Sequence, residues 1–142
     1  MDLDQAIERY HSALDRFAQG DPEPVKGLYS QQDDVTLANP FGPPVRGWAS
    51  VADRLDYAAS RFRDGRPIDF EKVALIVGTD VASLLEVERW EASVGSRYEI
   101  TPFGLRVTSV FRRETGSWLL VHRHADPIVS ADPDGPLRAN SA

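Results

Sequence analysis

The C-terminal half of the chain constrains the fold most. Two apolar-rich runs, "FEKVALIV" (70–77) and "ASLLEVERWEA" (82–92), flank "GTD", and two more, "GLRVTSVFRR" (104–113) and "SWLLVHRHA" (117–125), flank "ETG". Runs of this length with period-two alternation around tight turns read as strands joined in hairpins. Parallel neighbours would need a crossover of about a dozen residues or more, which the turns do not supply. The second half therefore predicts an antiparallel meander of four long strands, with a piece at 97–101 extending the third strand across a kink at Pro102–Gly104.

The first half changes period. Leu3, Ile7, Tyr10, Leu14 and Phe17 fall on one face of a helix over 3–18. Asp2 is placed to cap it, Gln5 sits at the reciprocal capping position, and Gly20 stops it. "DPEPVKGLYS" opens a short second helix with Pro22 in its first turn, where a missing N–H costs nothing. A short strand at Val35–Ala38 runs into the Pro/Gly-rich turn "NPFGPP". Trp48, Val51, Ala52, Leu55, Ala59 and Phe62 then follow at helical spacing, with "RDGRP" ending that third helix. Helices segregated from a meander make the chain α+β rather than α/β. A curved sheet wrapped around a long helix leaves a pocket between them and frees its other face for a partner.

The chain has 142 residues, enough for one apolar core, and residues 1–127 are expected to form a single domain with 128–142 as a flexible tail. A formal charge of −6 argues against a nucleic-acid partner, which shows a basic stripe. There is no cysteine, so disulfides, thiolate metal sites and Cys nucleophiles are excluded. The acidic N-terminus is unlike a signal peptide, and no apolar run approaches the roughly 20 residues that span a bilayer. A cytoplasmic location and no membrane partner are expected.

The stretch "SWLLVHRHADPI" (117–128) carries the chemistry. If the strand is regular, Trp118, Leu120, His122, His124 and Asp126 share one face. His124 or His122 is then a general base oriented by Asp126. His-x-His with a carboxylate also permits a metal-dependent site, although the expectation is no metal and no cofactor. On the preceding strand Arg106, Thr108, Val110 and Arg112 share one face, and Val107, Ser109 and Phe111 the other. Arg106 or Tyr10 is the candidate for stabilising an oxyanion. "LLEVERWEA" puts Leu84, Glu86, Glu88 and Trp90 together on one face, so Glu88 and Trp90 are candidate pocket residues, with Trp48 as another aromatic wall.

Three stretches carry a family resemblance: "RYHSALDRFAQGD", "DDVTLANPFGPPVRGWASVADRL" and "LRVTSVFRRETGSWLLVHRHADP". Together they resemble the first helix, the strand–turn–helix segment and the closing hairpin of the superfamily of nuclear transport factor 2, SnoaL-like cyclases and ketosteroid isomerases. The resemblance implies a cone-shaped, strongly curved sheet around N-terminal helices, a small hydrophobic or polyketide-like ligand, and homodimerisation through the sheet. In ketosteroid isomerases the base is an aspartate at the position of Asn39. An amide cannot take a proton from carbon, so that mechanism lacks its central group. Tyr10 matches the oxyanion-donating tyrosine of those isomerases, and their protonated acid falls near Ser109. The isomerase-like match turns Ser109 inward, whereas the SnoaL-like match turns Arg106 and Thr108 inward. The expected activity is cofactor-free isomerisation, cyclisation, hydrolysis or dehydration. The competing expectation is a non-catalytic ligand-binding or oligomerisation module, with Asn39, Trp48, Glu88, Trp90, Thr108 and Ser109 contacting the ligand in either case.

Overall fold

In the computed structural model, residues 1–128 are described. They form α1 (Leu3–Phe17), α2 (Glu23–Lys26), β1 (Thr36–Ala38), β2 (Val45–Arg46), α3 (Trp48–Ser60), β3 (Phe62–Val77), β4 (Val81–Val94), β5 (Thr101–Glu114) and β6 (Ser117–Pro127). Of the expected tail, all but Ile128 lies outside the described residues. Ile128 still donates its backbone N–H to the carbonyl of Gly104 at 2.9 Å. No described helix is long and apolar enough to cross a membrane.

The architecture is α+β: N-terminal helices lie against one face of a curved, unclosed sheet of six strands in the order β2-β1-β6-β5-β4-β3. The pairing is antiparallel except between β1 and β6, which run parallel. The four long strands form the expected antiparallel meander, and the one parallel pair joins the short β1 to β6. Everything from β2 to β5 lies between its two strands, more than enough chain for a crossover.

Local chemistry sets α1. The Asp2 carboxylate accepts from the Gln5 backbone N–H at 2.8 Å, and the Gln5 side chain accepts from the Asp2 N–H at 3.1 Å, a reciprocal capping box. Gly20 terminates the segment at φ +98°, a conformation that other residues adopt only with strain. Ala6, Tyr10, Ala13, Leu14 and Phe17 are buried on one face. Full burial of Tyr10, Leu14 and Phe17 contributes roughly 1.5–3 kcal/mol each, so α1 is held by packing more than by propensity.

Two strand boundaries differ from expectation. The third helix ends at Ser60, and β3 begins at Phe62 rather than Phe70, so "RDGRP" lies in a strand. β3 is an edge strand, where Pro67 needs no ladder donor. Its register shifts at three places, between Arg63/Arg66, Pro67/Asp69 and Lys72/Ala74, which bends it around the helices. At Gly65 a Cβ would stand 2.6 Å from Ala92 Cβ and 2.7 Å from the Ala18 carbonyl oxygen, so only glycine lets the strand pass so close to the end of α1. β5 starts at Thr101, and residues 95–100 form the preceding turn instead of a strand extension.

Along β4 every even-numbered residue from Ala82 to Ala92 is buried against the helices, and the odd-numbered ones face outward. β5 buries Leu105, Val107, Ser109 and Phe111, which decides between the two readings: Ser109 faces in, and Arg106 and Thr108 face out. β6 does not keep one parity. Val110 pairs with His122 but Phe111 pairs with Leu120, leaving Val121 as an extra residue. This bulge reverses the faces, so Trp118 and Leu120 are buried before it and Arg123 and Ala125 after it.

Candidate functional site

A cavity of about 540 Å³ opens between α1, α3 and the inner face of the sheet. Leu14, Leu37, Leu55, Phe62, Trp90 and Phe103 are among its mainly apolar walls. Polar groups enter at three points: Arg123 from β6, Asn39 from the turn after β1, and Arg97 beside Thr101 where β4 passes into β5. Asn39 folds back on its own turn, its Oδ1 accepting from the Phe41 N–H at 3.2 Å and from Arg54 at 3.4 Å. Its side-chain amide N–H groups have no partner among the described residues.

Arg123 organises the inner end. Its guanidinium forms a bidentate pair with Glu88, 2.8 Å at each contact, and also donates to the Tyr10 hydroxyl. The Trp90 indole N–H donates to Glu88 at 3.1 Å, and the Tyr10 and Ser109 hydroxyls lie 2.7 Å apart. Glu88 is 0 % exposed and Arg123 7 %. Burial opposes the charge on Arg123, but the Glu88 carboxylate and Tyr10 outweigh it and hold the guanidinium well above its ordinary pKa. Burial pushes the Tyr10 phenol up to about 12 despite the opposing Arg123 cation, so it is neutral at physiological pH. The network thus carries one positive and one negative charge, which cancel.

A guanidinium has five N–H groups. Three are used in this network, and no buried side-chain nitrogen among the described residues is left without a partner. The remaining two N–H groups belong to a side chain that lines the cavity, where they can donate to an oxygen of a bound molecule. Both carboxylate oxygens of Glu88 are occupied, by three donors in all.

The residues singled out in the sequence divide between two faces. Tyr10, Glu88, Trp90 and Ser109 join the buried network, while Asn39 lines the cavity. Trp48, the first residue of α3, packs on Tyr29 with ring centroids 6.1 Å apart and lies outside the cavity wall. His122, His124, Asp126, Arg106 and Thr108 sit on the outer face of the sheet, away from the cavity. The bulge at Val121 is the reason: it breaks the alternation that had put the histidines on the face of Trp118 and Leu120. There the Thr36 hydroxyl lies 2.7 Å from His122 Nδ1, Arg106 pairs with Asp126 at 2.9 Å, and His124, 54 % exposed, stands 3.5 Å from Asp126. Partial burial, with His124 adding to it, holds His122 below its usual pKa. Among the described residues, no group of three or more His, Asp or Glu side chains is placed to hold a metal ion.

Sequence reasoning missed Arg123, although it lies between the two histidines it favoured. One signal was present: Glu88, on a face with Leu84 and Trp90, needed a buried cation. Arg106, expected to stabilise an oxyanion in the pocket, points the other way.

Fold and cavity together define a helix-capped, curved-sheet α+β domain with an interior pocket. The chain belongs to the SnoaL-like domain family, whose profile matches residues 3–130. Solved structures resemble it over most of its length. A nuclear transport factor 2-like superfamily protein from Salmonella enterica superposes with a TM-score of 0.76 at 18% identity, covering 92% of each chain. A ketosteroid isomerase-like protein from Erwinia carotovora gives 0.74 at 19% identity, covering 90% of this chain and 95% of that one. A candidate dehydratase of the nuclear transport factor 2-like family from Streptomyces avermitilis gives 0.71 at 20% identity, covering 90% and 94%. At these identities the likeness establishes the fold alone. No curated protein matches the chain.

Proposed function

We propose that this chain binds a small, largely apolar molecule in the cavity, with an oxygen of that molecule accepting from Arg123 or Asn39. The observation that carries the reading is an apolar cavity of about 540 Å³ lined by a buried, charge-neutralised arginine with two N–H groups outside its network. The volume lies within the roughly 300–1,000 Å³ of small-molecule sites, and a few placed polar groups on apolar walls are how such sites fix orientation. Binding without turnover is favoured because Glu88, the carboxylate bonded to the lining residues Trp90 and Arg123, has both oxygens engaged, and the histidines lie on the other face. The probe is 1-decanol, an apolar chain with one hydroxyl. It should raise the melting temperature of the protein, and Ala58→Phe, which fills the cavity wall, should keep the fold and abolish the shift. Equal stabilisation of both proteins would refute the reading.

A second reading, isomerisation or loss of water from a carbonyl compound, draws on one feature: Arg123 and Tyr10 form a linked donor pair of the kind that stabilises an oxyanion. Two similar structures, a ketosteroid isomerase-like protein and a candidate dehydratase, agree with it. Glu88 would then have to release Arg123 to act as base. Turnover lost in Glu88→Gln with ligand binding retained supports this reading, and an inactive wild-type protein on β,γ-unsaturated ketones and β-hydroxy acids excludes it for those substrates.

The outer face of the sheet we propose as a homodimer contact. Ile76 on β3 (70 % exposed) and Leu85 on β4 stand out from it, with half-buried Val87 further along β4 and Val110 on β5. Contiguous exposed apolar side chains on a charged chain mark association surfaces. Light scattering should report a dimer that Leu85→Glu converts to monomer; a wild-type monomer at high micromolar concentration would contradict it.

A further inference from the structure

The arginines of this acidic chain are not distributed evenly. Seven of the thirteen described arginines have a carboxylate partner, as Arg66 has Glu91, Arg89 has Asp69, and Arg112 has Asp34. Among the described residues, Arg9 and Arg46 lack one, and so do Arg54, Arg61, Arg63 and Arg97. Those last four lie on segments that border the cavity: α3, the start of β3 and the β4–β5 turn. Arg97 is exposed and lines the cavity directly. Arg63 donates to the Arg97 carbonyl at 2.7 Å, and the Arg61 guanidinium lies 3.1 Å from where a Cβ on Gly95 would stand, in the same β4–β5 turn. Arg54 reaches Asn39 and the Pro43 carbonyl on the turn opposite. Glu99, two residues beyond Arg97, makes no ion pair among the described residues.

From this arrangement we propose that the ligand is an amphipathic anion, a carboxylate on an apolar body, with its charged group at the Arg97 rim and its apolar part inside. The inference rests on the cavity being a binding site. Charge selects the orientation. At the inner end the Arg123 cation is already matched by Glu88, so an anion there would meet a carboxylate as well as a guanidinium, in a dry environment that penalises the unpaired charge. At the rim the anion keeps part of its hydration and meets cations with no competing partner. The inner end accepts a neutral oxygen, the outer end a charged one. This also gives a purpose to unpaired cations clustered on a chain of net charge −6, since a local positive mouth draws an anion that the overall charge repels.

The test compares decanoate with 1-decanol by titration calorimetry on the intact protein, at low salt and at 0.5 M salt, with Arg97→Gln and Arg63→Gln/Arg97→Gln. Charge pairs at a partly solvated rim predict a preference for decanoate of about tenfold at low salt, shrinking to about twofold at high salt. The double variant should lose the preference while its affinity for 1-decanol stays unchanged, a readout that general misfolding would not produce. Decanol binding as tightly as decanoate, or a preference indifferent to salt and to both substitutions, overturns the anionic class while leaving the cavity as a neutral-ligand site. Binding of neither compound overturns this inference together with the reading it rests on.

Discussion

Replacing Glu88 by Leu should be among the most destabilising single changes in this domain, and the size of the loss follows from the partners left behind. Glu88→Leu strands the Arg123 cation at 7 % exposure and deprives the Trp90 indole N–H of its acceptor. Breaking one side of a buried ion pair costs about 3–5 kcal/mol, and orphaning a neutral buried donor adds about 1–3 kcal/mol. Relaxation of Arg123 toward the cavity and its water offsets part of this, so a net loss of about 4 kcal/mol is expected. For a domain of this size that lowers the melting temperature by roughly 10–20 °C. Arg123→Met should cost a similar amount by leaving the carboxylate unpaired. The double variant Glu88→Leu/Arg123→Met removes both charges and should recover most of the loss, keeping mainly the Trp90 penalty. Urea unfolding followed by circular dichroism measures the cycle, with a coupling energy of about 2 kcal/mol or more expected between the two sites. Additive losses, or a single-variant cost below about 1 kcal/mol, would show that the pair is solvated and the network is not the buried anchor described here.

Other outcomes follow from the same geometry. Tyr10 has a folded pKa of about 12 against an ordinary 10, so the folded state holds its proton more tightly; stability is intact below pH 10 and falls as pH rises through 12. The loss on Tyr10's account is about 3 kcal/mol across that window, and unfolding curves of Tyr10→Phe should show a pH slope smaller by about one proton. For His122 the sign is opposite: its folded pKa is depressed, so its contribution is present above about pH 6.5 and lost as pH falls through the folded value. His122→Asn should flatten the acid side of the stability profile. Gly65→Ala should destabilise by about 1–3 kcal/mol in thermal unfolding, because its Cβ overlaps Ala92 and the Ala18 carbonyl. His124→Ala should leave ligand affinity within twofold of wild type, whereas loss of binding would return the site to the histidine face.

The α+β order, the capping of α1 and the β4 face of Leu84, Glu86, Glu88 and Trp90 were legible because each depends on local periodicity or on a short-range hydrogen bond. The start of β3 was not, because Phe62 satisfies both the helical spacing of α3 and the first inward position of the strand. Only the tertiary fit of Gly65 against Ala92 decides it. The site was half legible for a similar reason. Tyr10, Glu88, Trp90 and Ser109 were placed by regular elements and Asn39 by the turn after β1, but one extra residue at Val121 exchanged Arg123 for His122 and His124 at the inner face. A bulge of this kind leaves no trace in composition or spacing, since "VHRHA" alternates equally well in either register.

The cavity and the histidine face can be told apart in a single spectrum series. In a 1H–15N titration of the labelled protein with 1-decanol, amide shifts should concentrate at Phe41, Leu55, Val94, Phe103 and Ala125, whose residues line the cavity. The amides of Leu85, Thr108 and His124 should stay in place. Shifts confined to that second group, with the cavity residues unmoved, would contradict the assignment of the ligand site to the Arg123 side of the sheet.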